Sequence, residues 1–205
     1  IAGRITTDVA AATGLHPGTP VVAGLFDVVA SAIGSGVTRT GAASIIAGTW
    51  SINQVITDQP PDDPSIFMLS TFDRQRWLAI ESSATSAVNL EWMVREFFGE
   101  DHGAAFEQCS ALVAAVDPRD EMPIYHPFLF GAQQNGHARA GYYGITGWHT
   151  RGHMLRALFE GVAFEHRRHV ETLAAAGAGF SEAVLSGGGS RSSVWPQIFA
   201  DLLGV

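Results

Sequence analysis

One aspartate and two glycine-containing stretches carry the residues best placed to do chemistry. Asp27 follows residues 20–24 (Pro-Val-Val-Ala-Gly), a β-branched run bounded by proline and glycine that reads as a buried strand. A carboxylate leaving such a strand beside a helix start can take a proton from a substrate hydroxyl if it stays partly desolvated. The alternative is that Asp27 only caps the helix that begins at Val28. Ile46-Ala47-Gly48-Thr49 ends a second strand. Backbone N–H groups of a Gly-Thr turn, with the hydroxyl, can hold phosphate oxygens because glycine admits close approach. An ordinary turn is the alternative. Leu185-Ser186-Gly187-Gly188-Gly189-Ser190 precedes a helix read from Ser192. A glycine turn at a helix N-terminus suits a nucleotide, through the dipole and free N–H groups; a plain tight turn is again the alternative. The stretch is neither Gly-x-Gly-x-x-Gly nor a lysine-containing P-loop, which argues against a dinucleotide fold and a Walker-type NTPase.

Other polar residues read more plainly. His149 and His153 are four apart and could face one metal, but spacing places no third ligand, so a solvated helix face is the preferred reading. His166 and His169 flank Arg167 and Arg168 and read as a basic surface patch. Arg156 and Glu160 form an i,i+4 ion pair. Cys109, in an apolar helical segment, reads as buried and inert. No Gly-x-Ser-x-Gly elbow supports a serine hydrolase.

The elements that must position these residues can be read from periodicity. Short strands are expected at 20–24, 42–47, 50–56, 67–69, 77–80 and 183–185, with an extended segment at 123–130. Helices are expected at 28–33, 87–98, 104–115, 151–175 and 192–203, the longest carrying Thr150 as N-cap. Residues 58–65 and 131–147 read as loops. With no repeat, low-complexity tract or linker, the pattern is an α/β domain whose strand ends point at ligand-binding loops.

The chain has 205 residues, 46% of them apolar, enough for a sizeable core. Twelve basic against 20 acidic residues give a formal charge of −8, which argues against nucleic acid or an anionic membrane as main partner. A single cysteine forbids an intrachain disulfide and a cysteine zinc site and suits a reducing cytoplasm. No apolar run approaches a membrane span. Glycine stands out, at 23 residues. The abrupt ends, Ile1 without a methionine and Leu202-Leu203-Gly204-Val205, read as those of a fragment.

Each site alone is weak, but their order is informative: strand–Asp, strand–Gly-Thr, strand–Gly-Gly-Gly–helix. That order resembles the C-terminal domain of the FGGY carbohydrate kinases. The resemblance rests on residues 18–24 with Asp27 and Ala30, on 46–53 (IAGTWSIN), on 156–164 (RALFEGVAF) and on 186–204 (SGGGSRSSVWPQIFADLLG), the last being the most specific. Gly-Thr-Trp-Ser-Ile-Asn and the helix at 152–164 look most like the branch holding L-xylulose kinase and related ketose or polyol kinases.

The resemblance implies an α/β ribonuclease H-like domain of the actin/Hsp70/hexokinase (ASKHA) superfold, the C-terminal half of a two-domain sugar kinase using ATP and Mg²⁺. Residues 1–205 would be that nucleotide-side domain, truncated at both ends. Asp27 falls where the family keeps its general base. Gly48 and Thr49 match the pair contacting the β- and γ-phosphates. Gly188 and Gly189 match the adenosine turn, Ser192 lies where a polar group can reach adenine, and Ala87 and Glu91 fall near another nucleotide-contacting segment. The magnesium carboxylate and most sugar contacts would belong to the N-terminal domain, so no metal ligand is assigned here. Leu25-Phe26 replaces a smaller or more polar pair and could shape the sugar pocket. The chain alone is expected to be inactive and to bind nucleotide weakly. Partners would be a sugar or polyol and the missing domain, with a homodimer left open, and the place of work the cytoplasm. The rival readings are a nucleotide-gated binding protein of the actin or Hsp70 kind and a non-catalytic fragment.

Overall fold

The structure is a computed structural model that describes residues 1–99, 102–132 and 136–205. It divides into two compact units, residues 1–31 and 32–205.

The first unit pairs β1 (Gly3–Arg4) antiparallel with β2 (Pro20–Val21) around α1 (Thr7–Thr13). Thr6 caps α1 by accepting from the Val9 N–H, and Gly14 closes it in the left-handed conformation. The run at 20–24 is therefore not a buried strand. Only two of its residues pair, and Val21 and Val22 are exposed. A ribbon of two short strands offers no second layer to cover β-branched side chains. α2 (Asp27–Gly34) begins in this unit.

The second unit is built on five strands: β3 (Ala42–Ala47), β4 (Ser51–Thr57), β5 (Met68–Thr71), β6 (Trp77–Ser83) and β9 (Glu182–Ser186). Their order is β5-β6-β4-β3-β9, antiparallel throughout except for β3 beside β9. The alternation has a geometric consequence. β3 and β9 run the same way, and β6, two antiparallel steps from β3, runs with them. The C-terminal ends of β3, β6 and β9 therefore emerge at one edge of the sheet, carrying Gly48-Thr49, Ser86-Ala87 and Gly187–Gly189. Ligands bind at such edges in α/β sheets because several loops converge there.

Helices α3 (Val88–Phe97), α4 (His102–Ala114), α5 (Arg151–Ala175) and α6 (Trp195–Leu203) complete the unit, with a small hairpin of β7 (Ile124–His126) and β8 (Gly141–Tyr143) against α5. β8 lies in the stretch expected as loop. α6 starts three residues later than expected. Gly188–Arg191 form one 3₁₀ turn, Pro196 sits in the first turn of α6, and Ser192 Oγ accepts from the N–H groups of Val194 and Trp195. Trp195 pins α6 to α5 by donating to the Phe159 carbonyl at 3.0 Å and stacking on that ring. Thr150 caps α5 in a capping box with His153, as its sequence position suggests.

The readings of four histidines change. His166 and His169 are fully buried, not a surface patch. α5 packs on β4 and β6 and on α4 and α6, which buries both histidines and leaves Phe164, Arg167 and Glu171 on its solvent face. His153 does not lie on a solvated helix face either; it is buried, its Nδ1 accepting from the Thr150 N–H and its Nε2 3.3 Å from Asp120. His149 lies ahead of α5, its Nδ1 accepting from Thr146 N–H and its Nε2 donating to the Glu121 carbonyl. Arg156 and Glu160 pair at 2.8 Å, and burial pushes the Cys109 thiol up to about 11.

Burial holds His166 neutral, its pKa down at about 3, with the neighbouring His169 adding to the shift and Glu165 opposing it. Burial alone would raise the Glu165 carboxyl, but the hydrogen bonds and charge of Arg168, with the adjacent His169, bring it to about 2. Both shifts make acid destabilising. Below pH 6.5 the unfolded chain protonates His166 and the folded chain does not, a loss that grows as pH falls towards 3. Glu165 adds its own loss below about 4.5. Between pH 7.5 and 5 the His166 loss is about 2 kcal/mol, at roughly 1.4 kcal/mol per pH unit below 6.5. The melting temperature of the full-length protein should fall accordingly, and His166→Gln should flatten that slope. An unchanged slope in the variant would show that His166 does not carry it.

Candidate nucleotide-binding site

At the edge where β3, β6 and β9 end lies a cavity of about 670 Å³. Ala87, Glu91, Gly188, Gly189 and Ser192 all line it, so five residues singled out from sequence, on two segments about 100 residues apart, meet in one place. α4 supplies the facing wall through Gly103, Phe106, Glu107, Ser110 and Ala111. Those spacings of three and four put one helix face on the cavity. They escaped the sequence reading because that face mixes glycine, aromatic, acidic and small residues and makes no amphipathic stripe. Arg191 also lines the cavity, and sequence reasoning passed over it.

Gly48 and Thr49 are not in the wall but are tied to it. The Ala87 N–H donates to the Gly48 carbonyl at 2.8 Å. A Cβ on Gly187 would lie 2.7 Å from the Ala47 carbonyl oxygen, and one on Gly189 would lie 2.8 Å from the Ala47 Cβ. The Gly-Gly-Gly turn thus rests directly on the end of β3, just before the Gly-Thr turn. A Cβ on Gly188 would meet nothing within 4 Å. Of the three glycines, Gly188 faces open space, whereas Gly187 and Gly189 are required by packing. The Gly48 N–H makes a long bond to the Trp50 carbonyl at 3.3 Å, and Thr49 is exposed.

The glycine turn enters a 3₁₀ turn rather than an α-helix, so the helix-dipole contribution expected from the sequence is small at Gly188. Ser192 has a fixed orientation. Its oxygen accepts from the first N–H groups of α6, and it stands 3.0 Å from Ser110 Oγ across the cavity floor. The hydroxyl pair leaves donor and acceptor capacity for a polar ligand, and Glu91 and Glu107 add carboxylates. The volume falls in the range of about 300–1,000 Å³ typical of small-ligand pockets. With Gly188 open, the residues present fit a nucleoside. Among the described residues no three His, Cys, Asp or Glu side chains stand together to hold a metal.

Asp27 belongs to the first unit, as the first residue of α2. It is exposed, and its Oδ1 accepts from the Val28 N–H at 2.8 Å. Oδ2 has no hydrogen-bond partner among the described residues. That bond is to the next residue's N–H rather than to the N–H two or three residues on that an N-cap accepts, and it leaves one carboxylate oxygen available.

A mixed sheet whose parallel strand ends surround a nucleoside-sized cavity defines an α/β protein of the kind found in sugar kinases. Residues 43–205 match the FGGY family of carbohydrate kinases, C-terminal domain, and the chain belongs to that family. It is 34% identical over its whole length to the L-xylulose/3-keto-L-gulonate kinase of Escherichia coli, of which it covers 41%. Among solved structures, xylulose kinase from Rhodospirillum rubrum superposes with a TM-score of 0.90 at 32% identity, over 99% of this chain and 41% of that one. Gluconate kinase from Lactobacillus acidophilus shares the fold, with a TM-score of 0.82 at 22% identity, over 98% of this chain and 41% of that one. The chain thus spans about two fifths of the length of these relatives. No helix among the described residues is long and apolar enough to cross a membrane.

Proposed function

We propose that residues 1–205 form the nucleotide-side domain of an enzyme that transfers the γ-phosphoryl group of ATP to a hydroxyl of a ketopentose, pentitol or similar sugar. The observation that carries this reading is the meeting of Ala87, Glu91, Gly188, Gly189 and Ser192 in one cavity. The ketose preference rests on the 34% identity to a kinase named for L-xylulose and 3-keto-L-gulonate.

Gly188 and Gly189 hold the adenosine against β3, with Ser192 and Glu91 as polar neighbours of base and ribose. Thr49, following Gly48, offers an N–H and a hydroxyl to the β- and γ-phosphates. Asp27 accepts the proton of the sugar hydroxyl as its oxygen bonds to the γ-phosphorus, and the bond to the β-phosphate oxygen breaks to release ADP. Phosphoryl transfer needs alignment and charge neutralisation more than covalent help, so these roles suffice on this side of the reaction. Mg²⁺ supplies charge neutralisation on the phosphates, with no ligand assigned to this chain. Sugar contacts come from a second domain, and the enzyme works in the cytoplasm.

The test is ADP release by the full-length protein with ATP and a panel of ketopentoses, pentitols and related sugars. One sugar of this class should raise ADP release far above background. Release that no sugar changes would overturn the kinase reading and favour a nucleotide-gated binding protein.

A further inference from the structure

From the end of β6 to the start of α3, residues Ser82, Ser83, Thr85, Ser86 and Asn89 are all buried although all are polar. Buried polar groups cost free energy unless partnered, so their partners show what the segment is for. Thr85 Oγ donates to the Pro127 carbonyl. Asn89 Nδ2 donates to Thr85 Oγ and to the Ser86 carbonyl, while its Oδ1 accepts from the Tyr125 hydroxyl. Ser86 Oγ stands 2.8 Å from His166 Nε2. This connection is held from three sides, and it delivers Ala87 to the cavity and to the Gly48 carbonyl.

The Ser86–His166 contact has a definite polarity. His166 Nδ1 lies 2.8 Å from Asn53 Oδ1, which can only accept. His166 therefore carries its proton on Nδ1, and Nε2 accepts from the Ser86 hydroxyl. Asn53 is oriented in turn, because its Nδ2 donates to Ser51 Oγ and to His169 Nδ1. That leaves the proton of His169 on Nε2, which lies 3.4 Å from Glu165 Oε1 without a hydrogen bond to it, while Arg168 donates to both Glu165 oxygens. A chain of oriented groups thus runs from His169 on α5 through Asn53 on β4 and back to His166 and Ser86, the residue before Ala87.

We infer that His166, acting through Ser86, is a positioning residue for nucleotide: it sets where Ala87 and, through the Ala87 N–H, the Gly48 turn stand at the cavity. The inference rests on the nucleotide reading above. Ser86 and His166 are absent from the cavity wall, so neither touches the ligand. Ser86→Ala leaves the fold one buried hydrogen bond short and releases the connection, so it should act on nucleotide and not on sugar.

The experiment measures ATP affinity by calorimetry and steady-state constants for both substrates in the full-length protein, wild type and S86A. S86A should raise the ATP Kd and KM about fivefold or more while kcat and the sugar KM stay within about twofold, as expected for one lost buried hydrogen bond. His166→Gln, whose amide oxygen can accept from Ser86, should recover most of the ATP affinity lost in His166→Leu; if the leucine variant does not fold, S86A carries the test. S86A that melts earlier but keeps its ATP Kd and KM overturns the positioning role, while the wild type still binds ATP. A wild type that binds no ATP overturns the nucleotide reading and this one with it.

Discussion

Gly187→Ala is expected to lower the melting temperature of the full-length protein markedly and to weaken ATP binding in the same step. Gly187 has φ +86° and ψ −173°, a region essentially reserved for glycine. Alanine there costs about 1–3 kcal/mol in backbone strain alone. Space makes it worse: the new Cβ would sit 2.7 Å from the Ala47 oxygen, 2.9 Å from its carbonyl carbon and 3.1 Å from the Gly48 nitrogen. All three are backbone atoms of β3 and its turn, so no side chain can swing aside. A loss of roughly 2–5 kcal/mol corresponds to about 5–15 °C for a domain of this size. Because the displaced atoms join the two glycine turns, the ATP KM should rise by about tenfold, equivalent to 1.4 kcal/mol. Gly188→Ala is the contrast, since its Cβ meets no protein atom within 4 Å. It should melt close to wild type and report only on ligand contact. A Gly187→Ala protein as stable as Gly188→Ala would mean that the turn does not rest on β3.

The same glycines show what can be read from a sequence and what cannot. Gly-Gly-Gly after an apolar run announces a turn at a strand end, and that much is local chemistry. Which glycine faces ligand and which faces β3 depends on the register Ile46↔Ser186, a pairing across some 140 residues that no local pattern contains. α5 was legible from its apolar spacing because it is long and capped at Thr150. The fate of His166 and His169 was not, since the solvated face of α5 at Arg167 and Glu171 lies beside them in sequence and only the packing shows that the histidines turn inward. Polar residues there are core residues with partners on β4, such as Asn53 and Ser51, and those partners are far away in sequence. The start of α6 was misplaced because Ser192 looks like a first-turn residue. It is in fact the acceptor for N–H groups two and three residues on. The far wall of the cavity went unseen for a related reason. Ser110 and Glu107 gain meaning only once α4 stands opposite Gly188.

Asp27→Asn separates two roles that the sequence leaves open for one carboxylate. If Asp27 only caps α2, asparagine should serve almost as well, since asparagine and aspartate are comparable at helix starts. The Oδ1 contact to the Val28 N–H is one an amide oxygen can make equally well, so fold and melting temperature should hardly change. If Asp27 is the general base, the amide cannot take the proton of the sugar hydroxyl. Turnover should then fall by roughly 10²–10⁴-fold, the usual contribution of a positioned base. ATP affinity should stay within about threefold, because the residues that line the cavity lie at the start of α3, on α4 and between β9 and α6 and are untouched. A kcat loss with an unchanged ATP KM is the signature of a group needed only in the transition state. Asp27→Ala adds a discriminating arm: it removes cap and base together, so it should match the asparagine variant in turnover but melt lower by a few degrees, in line with a capping loss of about 1 kcal/mol. Turnover in Asp27→Asn within tenfold of wild type would reduce Asp27 to a cap and require another base for the sugar hydroxyl.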